Sequence, residues 1–187
     1  MASDESSLFT VVSNTGPLIS AFQSNSLDLI VELFGIIHTS DACVAELARH
    51  DWQEAMAQFG SDIVSHKLTE SEAVMASELA NRIAAHSVSK DSEPSHHMGE
   101  AEVMVLAQRS EFRESILLLD ELAARAIATE IGLNISGFAG MLLAAVGEGL
   151  LTAEEAKDRL QQCQAQGTHY STTFVEQIYR TAREVQK

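Results

Sequence analysis

The stretch TVVSNTGPLIS, Thr10 to Ser20, changes character at its middle. Its β-branched beginning, extended back to Leu8, has the composition of a short buried strand. Pro17 then opens a helical pattern, at a place where the first helical turn tolerates proline because its N–H groups have no intrahelical partners. The polar run Ser13-Asn14-Thr15-Gly16 is therefore a strand-to-helix corner. Such a corner near the start of an α/β chain commonly carries a ligand or metal site, usually with a carboxylate. Here it carries an amide, Asn14.

Outward from this corner the chain alternates. Leu27, Ile30, Val31 and Phe34 recur at helical spacing, and "GIIHTS" (Gly35 to Ser40) is a second short strand. A helix starts near Asp41 with Ser40 as its cap. "DIVSHKL" is a short strand, followed by a long helix, "SEAVMASELANRIAAH", and a polar loop, "SVSKDSEPSHHMG". Then come a helix from Gly99 to Arg109, the strand "SILLLD" (Ser115 to Asp120), a helix from Glu121 to Ile131, the strand "LNIS" and a helix from Phe138 to Gly147. Strand and helix in alternation predict an α/β fold with a mostly parallel central sheet covered on both faces. Thr152 and Glu155 form a capping-box pattern, and residues 150–187 are expected to be a helical cap on one domain spanning 1–187.

Composition narrows the class. At 187 residues and 45% apolar content the chain supports a real core, and it is not a disordered protein. No apolar run approaches the ~20 residues that span a bilayer, and "MASDESS" does not resemble a secretory signal, so no membrane association and a cytoplasmic location are expected. Cys43 and Cys163 lie far apart in helical patterns, which argues against a disulfide framework or a CxxC metal site. The formal charge is −15, with 27 carboxylates against 12 Lys and Arg. Phosphate binding draws on Lys and Arg, so contact with nucleic acid requires a local basic patch, bound metal ions or a basic partner. A solubilising acidic surface is the simpler reading of the same number.

In open α/β sheets ligands sit beyond the carboxyl ends of the strands. Asn14 and Thr15 follow the first strand. Asp120 and Glu121 follow three leucines that fix a buried strand, and Glu46, Glu100 and Glu102 sit in neighbouring helices. Carboxylates converging from separate elements suit one or two Mg²⁺ or Mn²⁺ ions, which take hard oxygen ligands and activate water for phosphodiester hydrolysis. Each residue also has a plain structural role open to it: a solvated helix position for Glu46, a first-turn charge for Glu100 and Glu102, a cap for Asp120 or Glu121, and an Asx turn for Asn14. His96-His97 is a transition-metal candidate or a solvated loop, and Arg109, Arg113 and Arg125 are a basic rim or ion-pair partners.

"VVSNTGPLISAF", "LDLIVELFG", "VAEL", "GEAEVMVLA", "LLLDELAAR", "GLNISGFAGMLLAAVGEGLL" and "TTFVEQIYRTARE" follow, in order, the pattern of PIN-domain proteins. More closely, the chain resembles their bacterial and archaeal subgroup with VVSNTGPLI-like and GEAE motifs. The resemblance covers nearly the whole chain except residues 61–97, which are expected to be a family-variable insertion with a loop. It implies a three-layer α/β/α fold with added C-terminal helices. It also implies a ribonuclease dependent on Mg²⁺ or Mn²⁺, in some members a toxin with an antitoxin-like protein partner, RNA or other nucleic acid as ligand, and a homodimer.

By position, the resemblance puts the family's first acidic site on Asn14, the second on Glu46, the third on Glu102 or Glu100, and the fourth on Asp120 or Glu121. Glu100 and Glu102 point about 200° apart on a regular helix. The following "EVMVLA" frame favours Glu102, while Asp120 and Glu121 stay unresolved. An amide in place of the family's usual first Asp removes a charge beside a divalent ion, a gross loss of roughly 8 kcal/mol at ~4 Å and an effective dielectric of about 20. The alternative function is therefore a catalytically weak PIN-fold module that binds nucleic acid or protein.

Overall fold

The computed structural model describes residues 10–49, 52, 56–57 and 60–186. Five short strands, β1 (Val11–Ser13), β2 (Ile37–Ser40), β3 (Ile63–His66), β4 (Ile116–Leu118) and β5 (Ile135–Ser136), pair in the order β3-β2-β1-β4-β5. Every pairing is parallel, with Val11 opposite both Ile37 and Ile116. The period of two along each strand divides the core. Val11 and Leu118 face one apolar layer, and Val12, Leu117 and Leu119 face the other. Sheets buried on both faces need such continuous apolar runs, which is why "LLL" reads as a central strand.

The helices are α1 (Thr15–Gln23), α2 (Leu27–Phe34), α3 (Asp41–Arg49), α4 (Glu70–Ala84), α5 (Met98–Leu106), α6 (Leu122–Glu130), α7 (Phe138–Gly147), α8 (Ala153–Ala165) and α9 (Thr172–Val185). Helices α1, α2, α7, α8 and α9 share one core and α4, α5 and α6 the other, so the chain has the expected three-layer α/β/α form with an entirely parallel sheet. Helices α8 and α9 belong to the first layer: Leu160, Cys163, Val175 and Ala182 are buried with Leu18, Ala21 and Phe22 of α1. No helix among the described residues is long and apolar enough to cross a membrane.

Local signals explain most boundaries. The Ser40 hydroxyl accepts from the Cys43 N–H (3.3 Å) at the start of α3, and Thr152 with Glu155 forms a complete capping box on α8. Helix α1 begins two residues before Pro17, and the proline sits in the first turn, where no intrahelical N–H bond is lost. Residues 61–97 supply the edge strand β3 and helix α4, so this stretch extends the sheet and covers one face. Leu8 and Phe9 of the expected first strand lie outside the described residues.

Glu72 ties this region to the domain. It closes the capping box of α4 with Thr69 and receives Arg109 through Nε (2.7 Å) and Nη2 (2.9 Å). The Arg109 guanidinium, with the Thr69 N–H, holds the Glu72 carboxyl down at about 2. A carboxyl whose folded pKa is depressed stabilises the fold above its unfolded value and loses that contribution as pH falls through the folded one. Glu72→Gln is accordingly expected to cost about 1–3 kcal/mol at neutral pH. Denaturant melts should show the difference shrinking from about pH 4.5 down towards about 2, and a difference independent of pH would contradict the ion-pair account.

Candidate metal centre and acidic cleft

Strand order reverses between β1 and β4, so the crevice at their carboxyl ends is the switch point where open α/β sheets bind ligands. The Asn14 N–H still donates to Leu118 O (3.0 Å), and this carries the β1–β4 ladder one residue past the strand before the chain turns into α1. The Asn14 side chain therefore emerges at the switch point, 4% exposed. Its Nδ2 donates to Glu100 Oε1 (3.1 Å) and its Oδ1 receives the Cys43 thiol (3.3 Å). Gly99, at the start of α5, completes the enclosure. A methyl group added there would meet Asn14 Oδ1 at 3.3 Å, Glu46 Oε2 at 3.4 Å and Cys43 Sγ at 3.6 Å. Asn14 from the β1–α1 corner and Glu46 and Cys43 from α3 thus surround the space that glycine leaves open. The Thr15 hydroxyl is buried and has no hydrogen-bond partner among the described residues.

The two members of each candidate pair make different contacts. Glu100 turns towards Asn14 and Glu46, whereas Glu102, favoured by the sequence frame, turns to the start of α3, where Oε2 accepts the Ala42 N–H (3.3 Å). The rotation of α5 about its axis decides this, and the residues after Glu102 do not report it. Glu121 caps α6 by accepting the Ala124 N–H (2.5 Å). Asp120 points inward, its Oδ1 accepting the Phe138 N–H (3.0 Å) and its Oδ2 approached by the Tyr170 hydroxyl (3.5 Å). Tyr170 also meets Ser20 Oγ (3.1 Å), which fixes its ring against the site. Gly137 makes this possible, because a Cβ there would stand 2.5 Å from Asp120 Oδ1.

Both inward carboxyls are poor anions in this setting. Burial pushes Glu100 up, Asn14 partly opposes it, and the neighbouring Glu46 adds to the rise. Burial likewise pushes Asp120 up against the pull of the Phe138 N–H and the Arg125 guanidinium. Arg125 is anchored by Nη1 to Leu119 O (2.7 Å) beside Asp120. Arg109, another of the three rim candidates, is committed to Glu72.

Cys43, Gly99, Gly137 and Tyr170 were not singled out from the sequence as site residues. Gly99 in "MGEAE" lies in the first turn of its helix and Gly137 in "SGFAG" directly precedes one, a weak signal. Tyr170 lies fifty residues beyond Asp120 and gives none. His96 is exposed and pairs with Asp91 (2.8 Å), but His97 is buried, its Nε2 against Asp91 O (2.9 Å), so half of the presumed solvated histidine pair is interior.

Among the described residues no three His, Cys, Asp or Glu side chains stand together as a ready metal-ligand set. An amide oxygen, one carboxylate oxygen and the Cys43 sulfur face the Gly99 space, and the Glu100 carboxyl adjoins it through Asn14 Nδ2. The oxygens of Asn14, Glu46 and Glu100 fit a hard divalent cation that keeps several waters.

The protein is thus a three-layer α/β/α domain with amide and carboxyl groups gathered at the switch point of a parallel sheet. The PIN-domain family model DUF3368 matches residues 10–184, and the chain belongs to this family. PIN domains generally use divalent metals. No curated protein matched the chain.

A carboxyl whose folded pKa is raised contributes stability below its unfolded value and loses it as pH rises through the folded one. Glu100→Gln keeps an acceptor for Asn14 and removes that loss. Differential scanning calorimetry without metal should find the variant melting higher than the parent at neutral pH, with the gap closing below about 4.5. A lower melting point at neutral pH would show that the ionised carboxylate is stabilising.

Proposed function

We propose that the chain is a PIN-type ribonuclease that hydrolyses RNA phosphodiester bonds with the help of Mg²⁺ or Mn²⁺. The observation that carries this reading is the meeting of Asn14 Oδ1 and Glu46 Oε2 at one small space at the switch point of the sheet, with Glu100 tied to the same amide through Nδ2. These three residues hold the ion, and Asp120 completes the cleft on the β4 side. A bound divalent ion would supply an activated water and screen the phosphate charge. The chain's own residues do the rest. Asn14 Nδ2 orients Glu100, the Phe138 N–H and Tyr170 orient Asp120, and Arg125 offsets carboxylate charge where a phosphate would approach. Glu102 and Glu121 hold the starts of α3 and α6.

A second reading has one observation in its favour. Both ends of the Asn14 amide have protein partners, Glu100 at Nδ2 and the Cys43 thiol at Oδ1, an arrangement suited to a catalytically weak binding module. A toxin-like role with an antitoxin-like partner, and a homodimer, rest on the family resemblance alone.

The two readings separate at Asn14. Replacing the amide by a carboxylate removes the donor to Glu100 and sets two like charges against each other, and a divalent ion relieves that repulsion. Asn14→Asp should therefore lower the metal-free melting temperature, tighten Mn²⁺ binding at least tenfold by titration calorimetry, and raise RNA cleavage. Asp120→Ala should abolish cleavage. Cleavage that survives in both Glu100→Ala and Asp120→Ala would remove the metal-ribonuclease reading, and Mn²⁺ heat without any cleavage in the parent would favour the binding module.

A further inference from the structure

Beside Asp120, on the side away from Asn14, a cavity of about 660 Å³ opens between the start of α7 and the segment entering α9. Its size falls within the ~300–1,000 Å³ typical of small-ligand sites. One wall is aromatic: Tyr170 and Phe174 stack with ring centres 5.5 Å apart and planes 27° from parallel. Gly137 and Gly140 also line the cavity, at positions where an added Cβ would collide with Asp120 Oδ1 and Ser136 Oγ respectively. Asp120 and Arg125 line the inner end, His169 also faces the cavity, and Leu122 stands at it 64% exposed, unusual for so large an apolar group.

A cavity lined by an aromatic pair and two glycines, with Asp120, Arg125 and His169 among its polar groups, suits a planar heteroaromatic ring. Single-stranded nucleic acid supplies such rings, and aromatic side chains take them by stacking regardless of sequence. We propose that this cavity seats one unstacked base of an RNA strand against the Tyr170–Phe174 face, with the adjoining backbone directed past Asp120 into the acidic cleft. The proposal rests on the reading that the chain engages RNA. It assigns the strand's grip to a site that contains no metal donor other than Asp120 and that does not depend on the chain's overall charge.

The test uses the full chain in EDTA, so neither a metal ion nor cleavage is needed. A short RNA carrying 2-aminopurine should lose fluorescence on binding through stacking. AMP should compete, and ribose 5-phosphate should not. Phe174→Leu keeps apolar volume but not the planar face and should weaken the labelled RNA about 5- to 150-fold, with Phe174→Tyr restoring it. The Leu variant's melting temperature checks that the fold is intact, and the Tyr variant decides if it is not.

Several results would overturn the proposal. Unchanged affinity in a folded Phe174→Leu variant would do so, as would competition by ribose 5-phosphate equal to that of AMP. AMP binding as tightly as the RNA would make the ligand a free nucleotide. RNA that binds without quenching would sink the pocket assignment and leave the RNA reading standing. Occupancy of the slot by a protein partner's side chain predicts no effect of AMP or RNA at all.

Discussion

Strand β1 is hydrogen-bonded on both sides, to β2 and to β4, and it stops at a residue whose side chain is polar and buried. Because its neighbours lie on opposite sides of the switch point, whatever follows Ser13 must emerge in the crevice. The Asn14 N–H to Leu118 O bond holds that exit in place. The positions of Glu46 and Glu100 matter only relative to this fixed point, and α3 and α5 bring them to it by packing across β1 and β2.

The acidic residues then divide by what they touch. Asn14, Glu46 and Glu100 form one half of the cleft, and the amide takes the place of a third negative charge. Asp120 forms the other half, satisfied by a helix-entry N–H and a tyrosine hydroxyl. In both halves burial works against ionisation. A metal-free protein can tolerate such a cleft only by hydrogen-bonding the carboxyls or keeping them protonated. Asn14 serves this need through its two ends: the amide nitrogen meets a carboxyl and the oxygen meets a thiol. A carboxylate at the same position would have acceptors only.

How legible this was from residues alone follows from the range of each signal. Strands showed as apolar runs with turns beside them, and helix starts as Ser40 and the Thr152–Glu155 pair, because these devices act within four residues of sequence. The order of helices and strands fixed a parallel sheet for the same reason. Glu100 against Glu102 was not legible, since the choice depends on how α5 is rotated against α3. That rotation is set by the burial of Ala101, Val103 and Met104 together. Glu121 against Asp120 turned on a cap that only the backbone at Ala124 reveals. Tyr170 was invisible because its tie to Ser20 and Asp120 spans 150 and 50 residues of chain.

Those long ties have a consequence for how the molecule is made. The apolar faces of α1 and α2 are covered by α8 and α9, and the seam is laced by Arg159 to the carbonyls of Ser24 and Asn25, Thr168 to Gln23 and Cys163 to Ser20. During synthesis the β1–α1 corner leaves the ribosome well before its cover, because α8 and α9 lie far downstream of it. The layer formed by α4, α5 and α6 can assemble on its side of the sheet while the other side still faces water. Tyr170 belongs to that later segment, so Asp120 gains its tyrosine contact only after α8 has been made. A nascent chain thus holds Asn14 and Glu46 well before the ties of Tyr170 to Ser20 and Asp120 can form.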